Sequence, residues 1–154
     1  MTVLRGLIGV LVGLAISVGC VQILELMLAN AIAGRPLQSM DDYAVVLNTL
    51  PVLGIRLVVT SFVALLGGYI CAKLAEADEM RYTLIAVIFR ILAIAGGNAA
   101  GYMPRTPVGA LATLLTISTG AMLAGGAIRA AAIAAVRNPG TSHGGPEHTK
   151  EKLS

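Results

Sequence analysis

The chain has 154 residues, of which 56% are hydrophobic and 12% are charged, and the charged share is about half that of an ordinary soluble domain. Its mean hydropathy of +0.84 excludes a typical water-soluble fold and favours one compact membrane domain. The net charge of +3 does not indicate nucleic-acid binding, because the basic residues form no patch with interleaved aromatic residues.

The first predicted membrane span covers residues 7–33 and contains one formal charge, Glu25. About 20 apolar residues suffice to cross a bilayer core as a helix, so this stretch is long enough to span with some tilt. The apolar run continues well past Cys20, whereas a removable signal sequence has an apolar region of about 7–15 residues. We therefore expect no cleavage here. Gly34 and Pro36 are typical of a helix end.

A short helix at the membrane surface is predicted within residues 37–50. Asp41 and Asp42 precede an apolar run and favour a helix start capped by acidic residues. Pro51 is expected to interrupt this helix.

Three further spans are predicted at about 52–74, 82–102 and 107–136. The charged segment 75–81 is so short that it predicts a tight helical hairpin. Thr106 and Pro107 fit an N-cap followed by proline at the first helical position.

The predicted fold class is an all-α polytopic membrane protein, a four-transmembrane-helix bundle with a short extra surface helix between helices 1 and 2. The transmembrane domain covers residues 1–140 and is stopped by the Asn-Pro-Gly sequence at 138–140. Residues 141–154 form a polar tail with little to bury.

The basic residues indicate an orientation. Four spans place both termini on one side of the membrane, and the basic residues expected there are Arg5, Lys73, Arg81, Arg129, Arg137, Lys150 and Lys152. The other side holds Arg35, Arg105 and, near its edge, Arg56. Because cytoplasmic segments carry an excess of Lys and Arg, we expect both termini in the cytoplasm.

Small residues recur on every span, and those predicted to pack helices are Gly9, Gly13, Gly67, Gly68, Gly97, Gly101, Gly125 and Gly126. In lipid, close backbone approach brings helices together, and we favour internal packing over dimer seams for these faces. Residues 64–75 and 121–132 each contain a Gly-Gly pair followed by a basic residue, which indicates either a weak parallel repeat or a coincidence of composition.

Glu25, Arg56 and Asn98 are predicted to share one level in the half of the membrane away from the termini. An Arg56–Glu25 ion pair with Asn98 bonding to it is the simplest way to satisfy all three groups. A structural clamp that fixes helix register is the first interpretation. A substrate or proton site is the second, and an Arg56 that reaches the surface without a partner is the third.

Arg90 is expected about eight residues, or about 12 Å, inside the cytoplasmic face. One alternative is that its side chain extends to that face. Another is that it bonds to the hydroxyls of Thr116, Ser118 or Thr119. The third is contact with a partner chain or an anionic lipid.

Catalytic and metal-binding patterns are missing from the sequence. His143 and His148 both fall in the tail, and Glu25 is the only acid within a predicted span. We therefore predict no enzyme, no cofactor and no metal site. Cys20 and Cys71 are interpreted as small apolar packing residues.

Three features together resemble a class of short bacterial inner-membrane proteins with four helices. These features are Glu25 late in the first span, the ALLGG stretch at 64–68 in the second, and Asn98 before Met103-Pro104 in the third. The resemblance implies the fold and an inner-membrane location, and it implies no activity. A Glu in the first helix is also found in small multidrug-resistance transporters. Those proteins are shorter, have their Glu nearer mid-membrane and surround it with aromatic residues, whereas this chain has no Trp.

The expected role is a non-catalytic accessory or scaffold subunit of a larger membrane assembly. The alternative is a small homo-oligomeric transporter or channel that uses Glu25 and Arg90. The expected partners are membrane lipid and either other membrane subunits or further copies of the chain, with no nucleic acid.

Overall fold

The computed structural model describes residues 2–75 and 78–137. All of its regular elements are helical: α1 (Thr2–Leu14), a π-helical segment (Ala15–Cys20), α2 (Val21–Ala33), α3 (Met40–Leu47), α4 (Leu50–Ala75), α5 (Glu79–Ala100) and α6 (Val108–Arg137). The all-α prediction is therefore confirmed. The predicted tail at 141–154 with its two histidines, the stop signal at 138–140 and residues 76–77 of the charged turn lie outside the described residues.

Within the described residues, four helical segments are long and apolar enough to cross a membrane: Val3–Ala33, Leu50–Ala75, Glu79–Ala100 and Val108–Val136. The first comprises α1, the π-helical segment and α2 without a break. Their ends differ from the predicted spans by a few residues, because polar residues such as Arg5 and Arg81 continue the first turns of α1 and α5.

The surface helix lies where the sequence predicted it, with different ends. The hydroxyl of Ser39 caps α3 by accepting the N–H of Asp42 at 3.1 Å, while Asp41 and Asp42 lie in the first turn. The prediction that Pro51 interrupts this helix is wrong. Helix α3 ends at Leu47, and Pro51 lies in the first turn of α4. The N–H groups of a first turn have no partner within the helix, so proline fits there without the loss of a hydrogen bond.

The start of α6 also corrects a prediction. The N–H of Leu111 donates to the carbonyl of Pro107 at 2.8 Å, so Pro107 occupies the cap position and Val108 begins the helix. Thr106 does not cap α6, and its hydroxyl donates to the carbonyl of Pro104 instead.

The first span packs closely on α4 through small residues. A methyl group added at Gly13 would lie 2.9 Å from Cβ of Cys71 and 3.0 Å from the carbonyl oxygen of Gly67. Gly9 lies similarly against the carbonyl of Cys71. Direct backbone contact of this kind is how small residues associate helices in lipid.

The two Gly-Gly pairs each serve two interfaces. Gly67 packs on the first span and Gly68 on the backbone of Met122 in α6, whereas Gly125 packs on the carbonyl of Leu65 in α4. A methyl group at Gly126 would lie 2.7 Å from Oγ1 of Thr83 in α5.

Two of the eight predicted packing glycines do not join helices. Gly97 lies against the side chain of Met103, in the connection that follows α5. Gly101 ends α5 with φ of 76°, a left-handed conformation that glycine adopts without a steric penalty. The predicted packing face at this end of α5 is therefore a helix cap and a loop contact.

We call the end of the bundle that holds Thr2, Ala75, Glu79 and Arg137 the terminal end, and the end that holds the 101–107 connection the opposite end. The terminal half has an apolar core of Val10, Ala64, Cys71, Ala86, Val87 and Met122. Cys71 is buried as predicted, but Cys20 is exposed, so the packing prediction is wrong for Cys20.

Candidate functional site

Glu25 and Arg56 form a buried bidentate ion pair in the opposite half of the bundle. Arg56 Nε lies 2.9 Å from Glu25 Oε1, and Nη2 lies 3.1 Å from Oε2. Only 6% of the Arg56 side chain and 8% of the Glu25 side chain are exposed. Arg56 Nη1 also donates to the carbonyl of Leu47 at 3.4 Å, so one guanidinium connects α2, the end of α3 and α4.

Helical spacing explains how the two side chains meet. Glu25 is buried together with Val21 and Ala29, one turn before and after it on α2. Arg56 is buried together with Val52 and Thr60 on α4. Residues four apart lie on the same helix face, so each charge belongs to the face that its helix turns inward.

Asn98 lies near this level but serves the adjacent connection. Its Oδ1 accepts the N–H of Thr106 at 2.9 Å. The predicted bond from Asn98 to the ion pair is replaced by this contact, because the 101–107 connection folds back over α5. Gln22 Nε2 reaches Met103 Sδ at 3.5 Å, and Asn48 Nδ2 donates to the carbonyl of Arg105 at 2.7 Å. The connection is thus held by α2, by α5 and by the residue after α3.

A cavity of about 40 Å³ lies inside the bundle between the ion pair, α5 and α6. We call it the central cavity, and its polar wall consists of Gln22, Glu25, Arg56, Thr60, Arg90, Asn98, Thr106 and Ser118. A space of about 10–15 Å³ by this measure holds one water molecule, so the central cavity has room for a few water-sized groups.

Arg90 is the most deeply buried charge of the described chain. It lies in the middle of α5, about 15 Å from either helix end, and is 1% exposed. None of its three guanidinium nitrogens has a hydrogen-bond partner among the described residues. Two of the predicted alternatives require a side chain that reaches the surface, either at the terminal end or against lipid or a partner chain. The burial of Arg90 does not agree with either of them.

The remaining alternative for Arg90, a bond to hydroxyls of α6, is not made either. Thr116 donates to the carbonyl of Ala112, and Ser118 donates to the carbonyl of Leu114. Oγ1 of Thr119 is buried with no partner within the described ranges. Of these three residues, Ser118 lines the central cavity together with Arg90.

Thr60 is a cavity residue that the sequence reasoning missed. It is 5% exposed, and its Oγ1 has no hydrogen-bond partner in the part of the chain that the structure describes. The available signal was its position four residues after Arg56, which places both on one face of α4.

A second space lies on the outside of the ion pair, between α2 and α4. This lateral groove has a volume of about 380 Å³, and its apolar wall consists of Leu24, Met27, Leu28, Ala31, Ile55 and Val59. Glu25 and Arg56 line both the lateral groove and the central cavity. The ion pair is therefore the shared wall between an interior space lined by both polar and apolar side chains and an apolar surface groove.

The arrangement offers hydrogen-bond donors and charges to a small polar guest. Within residues 2–75 and 78–137, no three His, Cys, Asp or Glu side chains come together where they could hold a metal ion. Comparisons with protein-family models, with curated proteins and with solved structures found no match to this chain. The functional proposal is therefore based on the geometry of the central cavity.

Proposed function

We propose that this chain is a multi-pass protein of the bacterial inner membrane with both termini in the cytoplasm. Four apolar helices of sufficient length support membrane insertion. Basic residues are more numerous at the terminal end, and this distribution supports the orientation by the positive-inside rule. The resemblance to short four-helix bacterial proteins supports the choice of membrane.

Within that membrane, we propose that the protein is a small transporter whose solute site is the central cavity. The observation that carries this proposal is a cavity that the charged side chains of Glu25, Arg56 and Arg90 line, inside a bundle of four largely apolar helices. Ionisable groups are costly in a membrane interior, and they are retained where they bind or relay something.

The position of the central cavity also suits a transporter. It lies beneath the 101–107 connection, while the apolar core around Cys71 and Met122 fills the terminal half. A site that is closed on one side by tight packing fits alternating access, in which helices rock to expose the site to each side in turn.

Transport is tested by reconstituting the purified protein in liposomes and measuring electrical current and solute uptake across a panel of small solutes. We expect saturable flux that the Arg90→Gln variant abolishes while the helical content is unchanged. Exposed Arg35→Gln is the matched control and should transport like the wild type. Equal leak from protein-containing and empty liposomes for every solute would refute the transport proposal.

The second candidate is an accessory or scaffold subunit of a larger assembly, and one observation favours it. An exposed stripe of small residues runs along α6 at spacings of three and four: Gly109, Thr113, Thr116, Gly120, Ala124, Ala127 and Ala131. In a membrane, such a stripe suits close approach of another helix, either from a different subunit or from a second copy.

Gentle extraction from native membranes, followed by mass spectrometry of the intact complex, separates these candidates. An accessory subunit co-purifies with a larger complex, and Gly120→Leu should release it, whereas Ala93→Leu on the exposed part of α5 should not. A monomer without protein partners would remove the accessory proposal, and a symmetric oligomer would favour a transporter built from several copies.

A further inference from the structure

We infer that the central cavity binds a small monovalent anion, held by the guanidinium of Arg90 with the hydroxyl of Thr60 as a second donor. As an assignment of solute class this inference rests on the proposed transport function, although the binding itself can be measured without transport. It starts from the guanidinium of Arg90, which is buried without a partner among the described residues.

The charges that line the central cavity do not cancel. Arg56 and Arg90 are positive, and Glu25 is the acidic residue in the wall. Both carboxylate oxygens of Glu25 are bound by Arg56, so that pair is neutral on its own. The remaining charge of the wall is the single positive charge of Arg90, which matches one monovalent anion.

Hydrogen bonding favours the same kind of guest. An arginine side chain has five N–H donors and no acceptor, and none of the three nitrogens of Arg90 is paired in the described chain. Thr60 adds an unpaired hydroxyl, which can donate to a guest. An anion, which accepts hydrogen bonds and carries the opposite charge, satisfies both side chains at once.

Water alone would satisfy the donors but would leave the charge uncompensated. An isolated ionised group transferred into an apolar medium loses most of its favourable solvation, and a few trapped waters recover part of this loss. A counter-anion removes the net charge as well. The electrostatic free energy of the bundle is therefore lowest when an anion occupies the central cavity.

The size of the cavity limits the guest to about three water-sized groups, since its volume is about 40 Å³. A halide ion or a carboxylate group is of this size. The carboxylate can belong to a free acid such as formate or to the head group of an amphiphile. All these guests share one chemistry, a compact group with a single negative charge.

The test measures thermal unfolding of the whole protein in lipid nanodiscs while sodium bromide, sodium formate or sodium octanoate is added. Sodium sulfate keeps the ionic strength constant and serves as a divalent anion that mismatches the wall charge. We expect the unfolding midpoint of the wild type to rise with at least one monovalent anion and to saturate. A response to bromide or formate indicates a free anion, and a response to octanoate alone indicates an amphiphile.

Arg90→Gln is the diagnostic variant. Without added anion it should unfold at a higher temperature than the wild type, because it removes a buried unpaired charge. Its apparent dissociation constant for the anion should be about 10- to 100-fold larger, which is the loss of affinity expected when a hydrogen bond to a charged group is removed. Arg90→Lys should fall between the two, and Arg35→Gln, in an exposed loop, should respond like the wild type.

Thr60→Val provides a second variant that leaves every charge in place, and we expect anion binding several-fold weaker than in the wild type. Bromide in crystals of the wild type should give an anomalous peak within hydrogen-bond distance of the Arg90 guanidinium. An Arg90→Gln variant that keeps the wild-type anion response overturns the inference. A wild type that responds to none of the three anions overturns it equally.

The transport proposal and this inference fail separately. Anion binding at Arg90 without flux across liposomes leaves the inference intact and removes the transport proposal. Saturable flux of an uncharged solute, with no response to any monovalent anion, leaves transport intact and removes the inference.

Discussion

Arg56 is the residue on which the opposite half of the bundle depends. Its guanidinium binds both carboxylate oxygens of Glu25 and the carbonyl of Leu47, so one side chain fixes α2, α3 and α4 relative to one another. Taking two charges out of water is expensive, and a bidentate geometry with a further hydrogen bond offsets much of that cost. The pair therefore specifies register more than it adds net stability.

Removing one member of the pair should be far more damaging than removing both. In Glu25→Gln, Arg56 stays buried with no opposite charge, and we expect a loss of about 3 kcal/mol in the free energy of unfolding. Thermal or denaturant unfolding in detergent measures this loss. The double variant Glu25→Leu/Arg56→Met should recover most of it, because neither charge then remains buried.

Arg35→Gln, in the exposed connection after α2, is the matched control for the loss of one charge and should be close to neutral. If Glu25→Gln proved as stable as this control, the ion pair would contribute little to holding α2 on α4. A flux that Glu25→Gln abolishes at unchanged stability would assign the carboxylate to transport.

Along the first span, the residues that face the bundle interior recur every four positions. The residues turned inward along it are Gly9, Gly13, Ser17, Val21, Glu25 and Ala29. A period of four drifts by about 40° per step around an α-helix of 3.6 residues per turn, so a straight α-helix would turn Glu25 away from α4. The π-helical segment at Ala15–Cys20, with its wider turn, absorbs part of this drift.

Deleting Gly19, which has open space around it, should convert the π-helical segment into ordinary α-helix. The residues after it would then rotate by about 100° relative to α1, and Glu25 would leave Arg56. We expect a loss of stability at least as large as that of Glu25→Gln. Combining the deletion with Glu25→Gln should add little further loss in an unfolding experiment, and full additivity would contradict this account of the π-helical segment.

The close contact between α4 and α6 can be tested at Gly68. The added methyl group of Gly68→Ala would meet the backbone of Met122, which cannot rotate away, so the two helices must separate. We expect a loss of about 1–3 kcal/mol, as is typical of overpacking, in the free energy of unfolding.

Gly54→Ala makes the identical change on α4 at a position with open space and is the matched control. It should be neutral or slightly stabilising, because alanine is the better helix former. Equal effects of the two substitutions would show that close approach at Gly68 does not limit the packing of α4 on α6.

For the whole molecule, polarity is divided between the two ends of the bundle. The terminal half packs apolar residues such as Val10 and Met122, and the opposite half holds the ion pair, the central cavity and α3. Because the opposite half contains the central cavity and only a small apolar cluster of Ala29, Leu47 and Val52, conformational opening should begin there. With both termini in the cytoplasm, as proposed, the central cavity would lie nearer the external face of the membrane.

Cysteine labelling in intact cells tests that orientation. In a chain with Cys20 and Cys71 replaced by Ala, a cysteine at position 40 should react with a membrane-impermeant maleimide added outside, since Met40 is 44% exposed at the opposite end. A cysteine in place of exposed Arg81 at the terminal end is the matched control and should react only after the membrane is opened. The reverse pattern would invert the proposed topology.

Three features could be predicted from the sequence: the number and approximate limits of the four long helices, the surface helix, and the pairing of Glu25 with Arg56. Hydropathy over a window of about 20 residues and helix end signals are local properties, so they can be read without knowing the neighbours. The pairing followed because two ionisable groups at one level in an apolar bundle have few other ways to be satisfied.

The rotation of each helix about its axis and the contacts of each connection could not be predicted, because they depend on packing between distant parts of the chain. Arg90 could not be placed from the sequence, because its surroundings depend on the rotation of α5 against α6, which no local pattern fixes. Asn98 and Gly97 bind the 101–107 connection rather than other helices because that connection folds back over α5, a long-range packing choice. The central cavity exists for the same reason, since it is bounded by side chains from helices far apart in the chain.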